Sequence, residues 1–121
     1  MIRTQGLTHI HFAVRDLKRS LKFYGDVFGL QVKFWVGSSM VFLGTPGGAD
    51  PITLRQATDG EPVGPDGGFA HFGFRLQSKD DLEKAIQQVI RAGGSLLERG
   101  EHEPGHPYAY RSDPDGYVIE L

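Results

Sequence analysis

Two segments of the chain alternate apolar and polar side chains with the two-residue period of a β-strand. One is Thr-His-Ile-His-Phe-Ala-Val at residues 8–14, and the other is Ala-His-Phe-Gly-Phe-Arg-Leu at residues 70–76. Each is followed by apolar positions spaced three and four apart, which is the pattern of one helical face. The chain therefore predicts the same strand–helix pair twice, about half its length apart.

Both predicted helices have recognisable ends. Asp16 is a suitable N-cap for the first helix, and Gly29 ends it. Ser78 opens the second helix in a sequence that resembles a capping box, with Asp81 where Glu or Gln is usual, and Gly93-Gly94 ends it. The predicted apolar faces are Leu17, Leu21, Tyr24, Val27 and Phe28 in the first helix, and Leu82, Ala85, Ile86, Val89 and Ile90 in the second.

Three short extended segments follow each predicted helix. They lie at about residues 31–36, 39–44 and 51–57 in the first half, and at about 95–98, 107–111 and 117–121 in the second. Glycine-containing turns separate them. The chain thus predicts a single α+β domain of two βαβββ modules, at about residues 7–58 and 69–121, joined by a Pro- and Gly-rich linker at about 59–68.

Composition narrows the class of protein. The chain contains no cysteine, which excludes disulfide scaffolds, Cys-ligated zinc, iron–sulfur clusters and thiol nucleophiles. A net charge of −2 makes nucleic acid and anionic membranes poor candidate partners. We expect a cytoplasmic protein, because no apolar run is long enough to span a membrane and the first residues lack a signal peptide's apolar stretch.

The histidines give the clearest chemical signal. His9 and His71 occupy equivalent positions in the two modules, and Glu120 lies in an apolar strand where an unpaired carboxylate is costly to bury. Two histidines and one carboxylate can bind Fe(II), Mn(II), Ni(II), Co(II) or Zn(II) and leave positions open for a substrate. A lone strand histidine is more often a packed core residue, and Glu120 also suits an exposed position on an edge strand.

Three motifs are distributed along nearly the whole length of the chain. It opens with His-x4-Val-x-Asp-Leu-x2-Ser-x2-Phe-Tyr at residues 9–24, continues with Ala-His-Phe-Gly-Phe at 70–74, and ends with Asp-Pro-Asp-Gly-x3-Glu at 113–120. Together they resemble the vicinal oxygen chelate superfamily of glyoxalases, extradiol dioxygenases, fosfomycin-modifying transferases and bleomycin-binding proteins. The resemblance implies that the two modules form an incomplete β-barrel around one divalent metal ion, and that the protein is a homodimer.

The resemblance also assigns roles to residues. The metal ligands fall on His9, His71 and Glu120. His11, two residues along the first strand, is expected to face the same cavity, where it either supports a metal ligand or carries protons. Tyr110 matches a tyrosine that hydrogen-bonds the metal-bound substrate in dioxygenases and fosfomycin transferases, although a half-buried structural tyrosine is an equal alternative.

Departures from the family pattern separate its branches. Glyoxalase I enzymes have a fourth ligand, a glutamate, where this chain has Thr53, which argues against a lactoylglutathione lyase. His102 and His106 lie in a predicted loop at residues 100–107, where ring-cleaving members carry an acid–base histidine and where exposed loop histidines are as good an interpretation. The basic residues of a fosfomycin transferase are not evident, and the candidates for that role are Arg55, Arg75 and Arg111.

The leading hypothesis is a metal-dependent enzyme of the glyoxalase/dioxygenase type. Its substrate would be a small molecule that chelates the metal through two neighbouring oxygens, with extradiol cleavage of a catechol-like compound as the first expectation. The alternatives are a fosfomycin-type thiol transferase and a non-enzymatic drug-binding protein. A dioxygenase consumes O₂, a transferase needs a thiol, and a drug-binding protein binds its ligand without metal.

Overall fold

Each half of the chain folds as the predicted strand, helix and three further strands. The computed structural model describes residues 1, 3, 8–67, 69 and 71–121. Leu7, where the first module was expected to begin, Gly68 at the end of the expected linker, and Ala70 before His71 lie outside the described residues. The chain divides into two units, Met1–Asp59 and Gly60–Leu121, and each contains one four-stranded sheet.

The first unit has the strand order β1-β4-β3-β2. β1 runs parallel to β4, and the other neighbours are antiparallel. Its elements are β1 (Ile10–Val14), α1 (Leu17–Phe28), β2 (Gln31–Val36), β3 (Met40–Gly44) and β4 (Ile52–Gln56). The parallel pair has to be joined by a crossover, and α1 with the β2–β3 hairpin provides it.

Helix α1 begins and ends where its capping residues predict. The Asp16 carboxylate accepts a hydrogen bond from the backbone N–H of Arg19 at 3.1 Å. Gly29 takes the left-handed conformation, with φ of 66°, and closes the helix. The apolar face differs from the prediction. Ser20 and Phe23 are fully buried with Leu17 and Tyr24, whereas Leu21, Val27 and Phe28 are only partly buried.

The rotation of this face has a packing cause. Tyr24 is fully buried, and its ring contacts those of Phe23 and Phe12 with centroid distances of 5.2 Å and 6.1 Å. This aromatic cluster turns the side of α1 that carries Phe23 towards the sheet. Aromatic pairs in tilted contact are worth about 0.5–1.5 kcal/mol beyond their buried area, which favours burial of Phe23 and Tyr24 over the aliphatic Leu21 and Val27.

The second unit repeats the topology, with the strand order β5-β8-β7-β6. β5 and β8 are parallel, and the remaining neighbours are antiparallel. Its elements are β5 (Phe72–Gly73), α2 (Leu82–Arg91), β6 (Ser95–Glu103), β7 (His106–Ser112) and β8 (Val118–Glu120). The predicted α+β architecture of two βαβββ modules is confirmed, and the sheet of each unit is open, with two outer strands.

The start of α2 corrects the predicted capping box. Ser78 accepts a hydrogen bond from the N–H of Asp80 at 3.2 Å, which caps a short 3-10 turn at Lys79–Asp81. The α-helix itself begins at Leu82, and the Asp81 side chain caps nothing. Asp is too short to reach back as Glu does in a capping box. Of the predicted apolar face, Ile90 is exposed.

The β6–β7 hairpin is longer than the sequence indicates. β6 extends from Ser95 to Glu103 rather than ending near residue 98, so the predicted loop at 100–107 is largely strand. Its residues are all exposed, and β6 is one of the two outer strands of the sheet. A strand exposed on both faces has no apolar alternation by which to detect it.

Gly94 lies between the end of α2 and the start of β6. A Cβ atom at this position would be 2.3 Å from the carbonyl oxygen of Ser112 and 2.5 Å from Val89 Cγ1. The helix end and β7 approach each other so closely that only glycine fits.

No helix in the described part of the chain is long and apolar enough to cross a membrane.

Candidate metal centre

The Asp-Pro-Asp-Gly motif is the turn that sets the position of β8. The Asp113 side chain is 2% exposed, and its Oδ1 accepts hydrogen bonds from the backbone N–H groups of Asp115 and Tyr117, both at 2.9 Å. Gly116 has a φ of 87°, which favours glycine. The turn delivers the chain into β8, where Glu120 lies opposite Tyr110 and beside Gly73.

Glu120 is held between two histidines of its own unit. Its Oε1 is 2.7 Å from His102 Nε2, and its Oε2 is 3.4 Å from His71 Nε2. The Glu120 side chain is 28% exposed, against 43% for His71 and 56% for His102. The Glu120 carboxylate therefore has two imidazole neighbours, His102 at hydrogen-bond distance and His71 somewhat farther away.

Two tyrosines of β7 extend this group. The His102 ring stacks on Tyr108 with a centroid distance of 4.1 Å, and the Tyr110 ring meets His71 edge to face at 5.2 Å. The Tyr108 hydroxyl donates to Glu98 at 2.6 Å, and this bond raises the pKa of Tyr108. Loss of solvent, then the charges of Glu120 and Glu98, raise the pKa of Tyr110, so its phenol keeps its proton at neutral pH.

His102 is the residue that sequence reasoning did not place. The sequence predicts a loop at this position, whereas His102 lies on β6 and reaches Glu120 on β8 past the intervening β7. The signal was present in Glu103-Pro104-Gly105-His106, because a Pro-Gly pair between two extended segments favours a hairpin turn. His106 is the first residue of β7 and is exposed.

His9 and His11 belong to the first unit. His9 precedes β1, contacts the ring of Phe42 at 5.4 Å, and receives or donates a hydrogen bond with the Thr8 hydroxyl at 3.0 Å. It lines a cavity of about 540 Å³ with Lys33 and Phe34, and His11 is not among the described residues that line this cavity. That His11 faces the same metal-binding cavity as His9 stays a prediction.

His11 pairs with Thr53 across the parallel strands β1 and β4. Partial desolvation, then the positive charges of Arg55 and His9, lower the pKa of His11, so its ring is neutral at pH 7. Thr53 is fully buried, and its hydroxyl has no hydrogen-bond partner among the described residues. No carboxylate takes the place of the glutamate that glyoxalase I enzymes have there.

The three candidate arginines have different surroundings. Arg55 donates to the backbone oxygen of Gln56 at 3.0 Å. Arg111 is fully buried, and none of its guanidinium nitrogens has a hydrogen-bond partner within the described chain. Burial, then the charge of Arg99, lowers the pKa of Arg111. Arg75 lines a cavity beside Glu120.

The side chains near Glu120 suit a divalent metal in part. Two ligand atoms, each about 2.1 Å from a metal ion, lie about 3.0–3.4 Å apart. The 3.4 Å between His71 Nε2 and Glu120 Oε2 fits that separation. No group of three or more His, Asp or Glu side chains in the described chain is arranged to hold a metal ion. Imidazole and carboxylate are suitable ligand types for a divalent metal, and two of the three predicted ligands, His71 and Glu120, belong to the second unit.

Residues 6–121 match the family model of the Glyoxalase/Bleomycin resistance protein/Dioxygenase superfamily. The chain belongs to this superfamily. It is 30% identical to a lactoylglutathione lyase of Arabidopsis thaliana, over 93% of this chain and 42% of that protein, and 31% identical to a catechol-2,3-dioxygenase of Bacillus subtilis, over 94% and 41%. The chain therefore spans less than half the length of these two relatives.

A third relative is matched over most of its length. The metallothiol transferase FosB of Lysinibacillus sphaericus is 27% identical over 97% of this chain and 81% of that protein. Among solved structures, a variant of the fosfomycin resistance protein FosX from Listeria monocytogenes, in a complex that contains Mn(II), has a TM-score of 0.77 and 21% identity, over 98% of this chain and 90% of that chain. The names of the three sequence relatives denote three different reactions, and the solved structure has the fold of this chain.

Proposed function

We propose that the protein is a metal-dependent enzyme in which His9, His71 and Glu120 hold one divalent ion. The observation that supports this most is the placement of the Glu120 carboxylate, 3.4 Å from His71 and paired with Tyr110 across the sheet. A bound ion would supply a Lewis acid for two neighbouring oxygens of a small substrate and stabilise the anion that forms. His9 would contribute from the first unit.

Two further residues would act on the substrate itself. The Tyr110 phenol is protonated at neutral pH, as tyrosines ordinarily are, and its hydroxyl would donate a hydrogen bond that orients a substrate oxygen. His11 is neutral at pH 7, since its pKa is lowered, and its ring would accept a proton. His102 would orient the Glu120 carboxylate through their 2.7 Å contact.

The reaction that we favour is of the glyoxalase/dioxygenase type. Within that type, extradiol cleavage of a catechol-like compound is our leading candidate. The absence of a carboxylate at Thr53 argues against a lactoylglutathione lyase. The second candidate is a fosfomycin-type thiol transferase, which is favoured by the match to 81% of the FosB chain. Oxygen uptake with catechol supports the first, and a thiol requirement without oxygen uptake supports the second.

Elemental analysis of protein purified without chelator tests the metal set. We expect about one divalent ion per chain in the wild type, and loss of most of it in His9→Ala, His71→Ala and Glu120→Gln. His106→Ala and Glu103→Gln are matched controls, since both residues are exposed on the hairpin. Full metal content in the His71 and Glu120 variants would refute the set. A ligand-binding protein that needs no metal is the outcome if the wild type holds none.

The subunit arrangement that we propose is a homodimer. β2 is the outer strand of its sheet, and its residues Val32, Phe34, Trp35 and Val36 are between 44% and 52% exposed. Apolar outer strands of this kind are typical of surfaces that another chain covers. Light scattering is expected to give a dimer for the wild type and a monomer for Trp35→Glu. Lys84→Glu, at an exposed position of α2, is the control. A monomeric wild type contradicts the proposal.

A further inference from the structure

His102 lies at an irregular point of the β6–β7 hairpin. The pairing of the two strands shifts by one residue between Glu101 and Glu103, so that no residue of β7 faces His102. An extra residue of this kind is a β-bulge, which bends its strand, redirects a side chain and is common beside functional sites. The bulge accounts for the reach of His102 from the outer strand β6 to Glu120 on β8.

The Tyr108 ring lies next to this bulge, against the backbone of β6. Tyr108 pairs with Gly100 across the two strands. A Cβ atom at Gly100 would be 3.0 Å from the Tyr108 hydroxyl oxygen and 3.1 Å from the ring carbon Cζ. The ring therefore takes up the space that a side chain at this position would occupy, and glycine leaves that space free.

Two contacts hold the Tyr108 ring in this space. Its hydroxyl donates a hydrogen bond to Glu98 Oε1 at 2.6 Å, and its ring stacks on that of His102 with a centroid distance of 4.1 Å. Alternate residues of a strand lie on the same face, so Glu98, Gly100 and His102 form a row along β6. The Tyr108 ring lies along this row, bonded to the residue at one end and stacked on the residue at the other.

His102 needs such a support because its side chain is 56% exposed. An exposed side chain exchanges among several rotamers, and fixing it in one of them costs conformational entropy. Stacking on a ring that Glu98 already holds favours the orientation in which His102 Nε2 is 2.7 Å from Glu120 Oε1. The contact between His102 and Glu120 is therefore prepared by residues that do not touch the carboxylate themselves.

We propose that Tyr108 and Glu98 are positioning residues, which orient the Glu120 carboxylate through His102. The inference rests on the proposed function in one respect, because Glu120 is a proposed metal ligand. Groups that directly orient a metal ligand typically change metal affinity about 10- to 100-fold. Tyr108 acts one residue further from the ion, so we expect a smaller effect from its replacement.

Calorimetric titration of the full chain with Mn(II) tests the proposal. We expect about three- to tenfold weaker binding in Tyr108→Leu, which removes the ring, and in Gly100→Val, which displaces it. Tyr108→Phe keeps the stack, and it should restore the affinity to within about twofold of the wild type. Glu98→Ala should weaken binding more than the control Glu103→Ala, which removes the same charge from an exposed position of β6.

A double-mutant cycle separates positioning through His102 from a merely structural role of Tyr108. In the His102→Phe background, where the contact with Glu120 is already lost, Tyr108→Leu should change Mn(II) affinity by less than about twofold. A structural role would weaken binding by the same factor in both backgrounds. That result, or wild-type affinity in both Tyr108→Leu and Gly100→Val, would overturn the proposal.

NMR of the protein in EDTA separates this inference from the metal centre. We expect nuclear Overhauser contacts between the His102 ring and the Glu120 side chain in the wild type and in Glu103→Ala, and their loss in Tyr108→Leu. Persistence of these contacts in Tyr108→Leu would overturn this inference alone. A wild type that shows the contacts, loses them in Tyr108→Leu and binds no Mn(II) would refute the metal centre and leave the positioning of His102 standing.

Discussion

Replacing Asp113 should destabilise the turn that carries Glu120 into place. The Asp113 carboxylate is 2% exposed, and its Oδ1 accepts two backbone N–H groups at 2.9 Å. Alanine would leave those donors without a partner in a region that water reaches poorly. Hydrogen bonds to a charged acceptor contribute about 1.5–3 kcal/mol each, and the two share one oxygen, so we expect a total loss of about 2–4 kcal/mol in the free energy of unfolding.

Asp113→Asn is the matched control, because its side-chain oxygen can accept both bonds without the charge. We expect it to lose about 1 kcal/mol, a neutral bond being weaker than a charged one. Urea unfolding followed by circular dichroism measures both variants, with the slope of the transition compared to the wild type. Two results would show that these bonds do not stabilise the turn. One is an alanine variant whose free energy of unfolding is within about 0.5 kcal/mol of the wild type, and the other is an asparagine variant that is no more stable than the alanine variant.

Three further predictions concern other parts of the second unit. Gly94→Ala should lower the free energy of unfolding by about 2 kcal/mol or more, since its Cβ would lie 2.3 Å from a carbonyl oxygen; a neutral effect in urea would contradict that packing. Arg111→Met should leave the free energy of unfolding unchanged or raise it by about 1–3 kcal/mol, because the buried guanidinium has no hydrogen-bond partner among the described residues. A lower free energy of unfolding in urea would contradict this account and indicate that Arg111 has a stabilising partner. His102→Phe keeps the stack on Tyr108 and removes the contact with Glu120, so calorimetry should show about tenfold weaker Mn(II) binding, partly restored in His102→Gln; equal affinities in all three proteins would exclude a positioning role.

Local signals predicted the elements of the fold better than the contacts between them. Asp16 and Gly29 cap α1 as predicted, because capping depends on a few consecutive residues. The buried side of α1 was predicted less well, since Ser20 and Phe23 are buried by a tertiary aromatic cluster. β6 was predicted too short, because a strand exposed on both faces lacks the alternation on which the prediction depends.

The residues of the candidate site also differ in whether local sequence could predict them. Glu120 is predicted from the final motif, whose turn is held by hydrogen bonds between residues close in sequence, and His71 is predicted from the repeat of the strand–helix pair. His102 escaped prediction because its contact with Glu120 joins β6 to β8 past a third strand, and no spacing along the chain encodes that contact. The anion-binding candidates were left open between three arginines, and only the structure separates the buried Arg111 from Arg75 at the cavity.

The central claim is that one metal ion is held by residues of both modules. Anomalous diffraction from crystals grown with Mn(II) tests it directly, because the anomalous signal locates the ion without any assumption about its ligands. The account predicts one ion per chain, bonded to His9, His71 and Glu120. An ion bonded to His71, Glu120 and His102 with His9 elsewhere, or no ion at Glu120, would contradict it.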